Sequence, residues 1–184
     1  MSSQFKKQLR IDILKQRKLL SQEARRQAES ALVNALDQSK LWHVSEHIGC
    51  YLASPDELNT TRLIQHAINL GNKISFPVIT APGVIKFVQY SVGEQCKIHP
   101  KYLVKEPSSI KPDVSSSLDL LIVPAVAIDA NQHRLGYGGG YYDRFLQKHP
   151  QLHTRTIAIA FQCCYCESIM PEVHDQKMAF SILV

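Results

Sequence analysis

The stretch Leu118 to Ile128, LDLLIVPAVAI, restricts the fold more than any other part of this 184-residue chain. An apolar run this continuous is too short for a membrane span of ~20 residues and reads as a strand covered on both faces. A glycine cluster follows it, and then a helical pattern from Tyr141 to Lys148. Strand, turn and helix in that order are the unit of α/β proteins. His47 to Ala53 and Thr156 to Gln162 read as further buried strands, and Phe180 to Val184 as a last one. Asn59 or Thr60 caps a helix from Thr61 to Leu70 that stops at Gly71. Lys73 to Ile79 and Val84 to Tyr90, joined by Ala81-Pro82-Gly83, form a hairpin in which Pro77 is tolerated only near an end or an edge. The expectation is an α/β three-layer sandwich: a mostly parallel central sheet, helices on both faces, and antiparallel pairing near residues 73–90.

Two helices precede this alternation. Phe5, Leu9, Ile13, Leu14, Leu19 and Leu20 recur near helical spacing, and Ser21 is placed to cap a second helix carrying Ala24, Ala28, Ala31, Leu32 and Leu36. This basic helical N-terminus, about residues 1–40, is expected to pack onto the α/β core of a single domain spanning 1–184. Residues 91–117 show little periodicity and are rich in Pro, Ser and Lys, which suggests a functional loop or a mobile one.

A hydrophobic share of 45% with 20% charged residues excludes a disordered chain. The first residues are basic, with no apolar signal segment behind them. Five cysteines, an odd number, suit free thiols in a reducing cytoplasm, the expected location. Cys163, Cys164 and Cys166 lack the second ligand pair that a zinc site needs. The net charge is +5, and eight of the 21 basic residues fall within the first 26: Lys6, Lys7, Arg10, Lys15, Arg17, Lys18, Arg25 and Arg26. Such an arm suits an anionic partner or forms the solvated face of a helix, and charge alone does not choose.

The most informative segment is Asp129-Ala130-Asn131-Gln132-His133-Arg134-Leu135-Gly136-Tyr137-Gly138-Gly139-Gly140-Tyr141-Tyr142-Asp143-Arg144. Four of the chain's eight glycines lie within five positions, between a buried strand and a helix. Successive N–H groups leading into a helix N-terminus can cradle an anion, and ligands of open α/β sheets bind beyond the carboxyl ends of strands. No Gly-Lys-Ser/Thr follows, and Tyr141 stands where the dinucleotide fingerprint needs its third glycine. Arg134 can clamp phosphate oxygens and Asp143 can hold Mg²⁺. A tight strand-helix corner with stacked tyrosines is the structural alternative, and Asp143 would then serve the helix dipole.

The string LIVPAVAIDANQHRLGYGGGYYDRFL closely resembles the signature of the 5-formyltetrahydrofolate cyclo-ligase family. Lys6-Lys7-Gln8-Leu9-Arg10, Tyr51 to Glu57, Glu106-Pro107 and His174-Asp175 resemble further elements of that family in the right order. The resemblance implies an ATP- and Mg²⁺-dependent ligase that cyclises 5-formyltetrahydrofolate, with or without a polyglutamate tail, to 5,10-methenyltetrahydrofolate. It implies ATP contacts from Lys6, Lys7, Gln8, Leu9 and Arg10 and from Arg134, Leu135, Gly136, Tyr137, Gly138, Gly139, Gly140, Tyr141 and Tyr142. Arg134 and Asp143 would be the catalytic pair, with Asp143 and Asp175 as the metal ligands. Leu52, Glu57 and the turn from Tyr137 to Tyr141 would meet the folate, Glu57 by bonding the pterin N–H groups, while His174 would be structural or would support the site residues from behind. Glu57 is equally a first-turn helix acid on its own merits. A monomer, with no nucleic-acid or membrane partner, is expected. The chain departs from the family pattern at Ala125, Gln132 and Ala179, which bears on loop geometry, and Asn131 is expected to supply the left-handed residue of its turn. Two other functions remain open here: a non-catalytic folate or nucleotide sensor, and a basic nucleic-acid-binding module.

Overall fold

In the computed structural model, which describes residues 2–184, the chain opens with α1 (Ser2–Lys18), α2 (Gln22–Asp37) and the short α3 (Lys40–His43). Met1, where the expected domain begins, lies outside the described residues. Then follow β1 (His47–Gly49), α4 (Thr61–Asn69), β2 (Lys73–Ala81), β3 (Val84–Gln89), β4 (Cys96–Ile98) and β5 (Lys105–Pro107). The rest of the chain adds β6 (Leu120–Pro124), β7 (Ala127–Asp129), β8 (Arg134–Leu135), α5 (Tyr141–Lys148), β9 (Thr156–Ala160), β10 (Tyr165–Cys166) and β11 (Phe180–Leu183). Ser21 caps α2 as its position predicts, its hydroxyl oxygen accepting the Ala24 N–H at 3.1 Å. At the start of α4 Thr60 holds the N-cap position without a side-chain cap bond, its hydroxyl donating instead to the Tyr51 carbonyl at 2.8 Å, and Asn59 accepts the Thr61 N–H at 3.0 Å.

Six strands make the central sheet in the order β11-β9-β6-β1-β2-β3, all neighbours parallel except the β2–β3 hairpin. The expected sandwich is present. β1, β6 and β9 are buried almost throughout, which is why β6 and β9 read as near-continuous apolar runs rather than alternating ones. Pro77 is accommodated because pairing of β2 with β1 stops at Ser75. The crossover β1-α4-β2 steps one way along the sheet and β6-α5-β9 the other, so right-handed connections put α4 and α5 on opposite faces. α2 packs on α4, while Phe145 of α5 meets Phe87 of β3 with ring centroids 5.0 Å apart. Between β1 and β6 the connections diverge, opening a crevice beyond their carboxyl ends. The floor of that crevice is tight: a Cβ on Gly49 would lie 2.9 Å from the side chains of Leu118 and Leu121 and 3.1 Å from Phe87.

Three expectations need correction. The run Leu118–Ile128 is two strands, because after Pro124 the chain leaves the main sheet and β7 pairs with β8 and β10 in a small second one. The ladder of β1 ends at Gly49, and of the expected extension only the Cys50 N–H still bonds across, to the Ser75 carbonyl at 2.9 Å. Within 91–117, β4 and β5 form a hairpin that docks on the sheet through Glu106, a 2% exposed carboxylate accepting the Ile79 N–H at 3.1 Å. The apolar face of α1 is also narrower than its spacing suggests, since Leu19 falls beyond the helix and is 85% exposed. Among the described residues all five cysteines are free, and no helix is long and apolar enough to cross a membrane.

Candidate active site

The glycine turn leaves the end of β7 through a reverse turn held by Asp129. Its buried carboxylate accepts the N–H groups of Asn131 and His133, both at 2.9 Å, and that of Ile169 at 3.2 Å. The left-handed residue of this turn is Gln132 (φ +68°), not Asn131, and its strain is offset by backbone bonds to Asp129 and Met178 on either side. β8 then presents Arg134 and Leu135, both buried. Gly138 (φ +98°) and Gly140 (φ +62°) adopt the positive φ that only glycine takes freely, and Gly140 caps α5. A Cβ on Gly138 would come within 3.7 Å of the Arg10 guanidinium, so the bare backbone keeps this space open.

Arg134 and Asp143 face each other across the turn, Nη2 donating to Oδ1 at 3.1 Å, and Oδ1 also accepts the Gln176 N–H at 3.1 Å. The expected phosphate clamp and the expected metal ligand are thus paired with one another. Arg134 Nε is buried without a hydrogen-bond partner, a free donor at this point of the turn. The Arg134 guanidinium also stacks over Tyr142 at 5.7 Å, and burial pushes the Tyr142 hydroxyl well above its ordinary pKa.

Helix α1 supplies a second cation pair. Lys6 and Arg10, one turn apart, share a face. Lys6 is buried and donates to Asp175 at 2.6 Å, with Glu172 3.4 Å away, and Arg10 Nε donates to the Gly136 carbonyl at 2.7 Å. Burial would raise the Asp175 carboxyl, but the Glu172 N–H and Lys6 outweigh it and hold it below the usual carboxylate range. Burial lowers the Arg10 pKa, with Asp175 opposing. Lys7 and Gln8 are exposed, Gln8 bonding only Asp12 at 3.0 Å, and Leu9 packs toward the core. Of the five residues expected to contact ATP at the N-terminus, Arg10 reaches the glycine turn and Lys6 reaches the Glu172–Asp175 segment. The solvated-face alternative fails for Lys6 and for Arg17, which is 1% exposed, while Arg10 is half-buried.

The segment after β1 builds the other side. Glu57 folds back so that Oε2 accepts the Ser54 N–H at 2.8 Å, while the Glu57 N–H donates to the Ser54 carbonyl at 3.0 Å. Glu57, Ser54, Asn59, Arg25 and Phe161 line a cavity of about 310 Å³, within the range of small-ligand sites. Tyr137 joins the two sides: its hydroxyl engages Arg17 and Ser54 and lies in the field of Glu57, and burial pushes it up to about 12. Leu52 is half-buried against the core and does not line the cavity. Tyr141 instead turns toward the 91–117 segment, its ring 5.6 Å from Tyr102.

Sequence reasoning gave no role to Arg17, Arg25 or Arg144. Arg144 bonds the carbonyls of Gly83 and Gly139 and so ties the β2–β3 turn to the glycine turn. The spacing Lys6, Arg10, Ile13, Arg17 was the available signal, since Ile13 is buried on the same helical face. Glu172, His174 and Asp175 bring their donor atoms within 4.8 Å of one another, whereas Asp143 reaches this group only through the neighbouring Gln176 N–H.

A glycine turn, two cation–carboxylate pairs and a carboxylate-lined cavity at the switch point of a parallel sheet define an open α/β domain of the kind that holds ligands at strand carboxyl ends. Within that class the chain belongs to the 5-formyltetrahydrofolate cyclo-ligase family, whose sequence model matches residues 2–183, and it is an enzyme, a ligase. It is similar to the 5-formyltetrahydrofolate cyclo-ligases of Haemophilus influenzae (29% identity over 192 residues, covering 100% of both chains) and mouse (26% over 183 residues, covering 94% of this chain and 90% of the relative). The Escherichia coli cyclo-ligase is 33% identical over 136 residues, covering 70% of this chain and 72% of the relative. The NMR structure of Aquifex aeolicus 5,10-methenyltetrahydrofolate synthetase shares the fold with a TM-score of 0.81 at 23% identity, covering 97% of this chain and 89% of that one. The Mycoplasma pneumoniae synthetase does so with a TM-score of 0.74 at 19% identity, over 96% and 97% of the two chains.

Proposed function

We infer that this chain, acting as a single cytoplasmic unit, converts 5-formyltetrahydrofolate to 5,10-methenyltetrahydrofolate at the expense of ATP. The formyl oxygen attacks the γ-phosphorus, the bond to ADP breaks, and a phosphorylated imidate forms. N10 of the same folate then attacks the formyl carbon and loses its proton, and inorganic phosphate leaves as the ring closes. The formyl oxygen is a poor leaving group and phosphorylation repairs that fault. The protein's work is alignment and charge stabilisation, which needs no side-chain nucleophile.

The observation that carries this reading is the pair of cation–carboxylate contacts flanking the glycine turn, Arg134–Asp143 and Lys6–Asp175. Both are short contacts at a turn whose backbone is kept bare by glycine. A triphosphate would take Lys6, Arg10 and Arg134 as partners and so release the two carboxylates. Those carboxylates are hard oxygen donors of the kind Mg²⁺ requires, and the free Arg134 Nε fits an anion beside them. Asp143 and Asp175 would hold Mg²⁺, which when bound neutralises charge on the phosphates. Glu57 would accept the pterin N–H groups, orienting the formyl group toward the turn. The net charge of +5 favours an anionic folate, and the free thiols fit a reducing compartment.

The test mixes purified protein, Mg-ATP and 5-formyltetrahydrofolate and follows the near-ultraviolet band of the conjugated methenyl product. The band should grow only with ATP and vanish on chelation. A flat trace from folded protein that binds ATP would leave a sensor as the better account.

A further inference from the structure

Arg17 is the largest buried charge that the site chemistry above does not use. It is 1% exposed, yet among the described residues no carboxylate lies within salt-bridge distance of it. A guanidinium buried without a counter-ion is costly and persists where its fixed fork holds groups that must stay in register. The groups held here are specific. Nε and Nη2 both donate to the Asp56 carbonyl, Nε at 2.7 Å, which fixes the peptide joining Asp56 to Glu57. The guanidinium also engages the Tyr137 hydroxyl in the middle of the glycine turn. Its remaining nitrogen, Nη1, is buried without a hydrogen bond of ordinary geometry. Its flat face lies 6.0 Å from the Phe161 ring centroid, and Arg25 closes the other end by donating to the Arg17 carbonyl at 2.5 Å.

One side chain therefore touches both halves of the site. We propose that Arg17 is a positioning residue that sets the Glu57 carboxylate relative to the glycine turn, and through them the formyl oxygen relative to the γ-phosphate. This rests on the function proposed above. Phosphoryl transfer between two bound substrates depends on alignment to within about 1 Å, and an error of that size is worth roughly 10²-fold in rate. Lysine keeps the charge of Arg17 but cannot fork onto one carbonyl while reaching the tyrosine.

The test compares wild type, Arg17→Lys and Tyr137→Phe by kcat, the KM for each substrate, ATP affinity from calorimetry and thermal midpoint. Arg17→Lys should lower kcat by roughly 10- to 100-fold and raise the folate KM. ATP affinity should stay within about twofold. Combined with Glu57→Gln, its effect on the folate KM should be less than additive, because both changes act on one carboxylate. A fall in thermal midpoint with kcat and both KM values unchanged would reduce Arg17 to a packing role and overturn the proposal. Should Arg17→Lys fail to fold, Tyr137→Phe carries the test, since that change removes a single hydroxyl: a smaller change of the same kind supports the proposal, and unchanged kinetics overturns it. Wild-type turnover separates the two levels, because absence of methenyl product in the wild type refutes the function, whereas wild-type turnover with unaffected variants refutes only the role of Arg17.

Discussion

The two halves of the site neutralise charge in opposite ways. Around the glycine turn each carboxylate already has a cation, Arg134 on Asp143 and Lys6 on Asp175. Beside the cavity Glu57 has only the Ser54 N–H as a hydrogen-bond partner and no cation within salt-bridge distance among the described residues. A pre-paired set of charges suits a ligand that brings both signs with it, a metal polyphosphate, because each pair can be exchanged without stranding a charge. A carboxylate holding one N–H and facing a cavity suits a neutral ligand with further N–H groups to donate. The difference teaches that the sign of a site is a weaker guide to its ligand than how much of that charge is already satisfied.

The strongest way to break this comparison is Asp143→Asn. It removes the charge that pairs Arg134 in the half proposed to hold the triphosphate, so turnover should fall by roughly 10²–10³-fold or more while folate affinity stays within a few-fold. Initial rates with calorimetric folate binding check it, and equal losses in both would merge the two halves into one. Next in size, Glu57→Gln should weaken folate binding about 10- to 100-fold, from ~1–3 kcal/mol for a hydrogen bond to a charged acceptor, and leave ATP affinity unchanged. An ATP-side loss instead would move Glu57 out of the folate half.

What could be read from the letters divides along physical lines. The glycine turn, the start of α5 and the parallel sheet were legible because each rests on local chemistry: positive φ, a helix N-terminus, a continuous apolar run. Leu118–Ile128 was read as one strand because hydropathy reports burial, and β6 and β7 are both buried, in different sheets. The β4–β5 hairpin escaped because its strands are three residues each, only Glu106 and Pro107 are buried, and its anchor is a carboxylate rather than an apolar face. Arg17 escaped for a different reason. A buried arginine and a solvated one are the same letter, and only its helical register with Ile13 told them apart. Gln132 took the left-handed position because the contacts that fix it, to Asp129 and Met178, include one 46 residues away along the chain.

Two smaller predictions address the frame shared by both halves. Gly49→Ala inserts a Cβ 2.9 Å from Leu118 and Leu121 and should cost about 1–3 kcal/mol in denaturant unfolding while leaving the ratio of the two KM values unchanged. A shift in that ratio would show that the crevice floor favours one half. The smallest effect is the pH response of His47, buried at the far end of β1 between the hydroxyls of Ser75 (2.7 Å) and Ser117 (3.0 Å). Burial lowers its pKa from 6.5, with Asp119 opposing and Lys73 assisting. The unfolded chain then binds a proton more readily than the folded one, so this contribution is complete above the ordinary value and is lost as pH falls through the lowered one. Thermal midpoints should decline between neutral and mildly acidic pH, less steeply in His47→Gln, with site kinetics at neutral pH unaffected. An identical decline in the variant would remove His47 as the cause.

The central claim is that the formyl oxygen is phosphorylated where the two halves meet. 5-Formyltetrahydrofolate carrying heavy oxygen in its formyl group, turned over with Mg-ATP, tests it through the mass of the inorganic phosphate released. The account predicts one heavy oxygen per phosphate for each methenyl product formed. Methenyl product accompanied by unlabelled phosphate would contradict it, because the formyl oxygen would then have left by a route that never touched ATP.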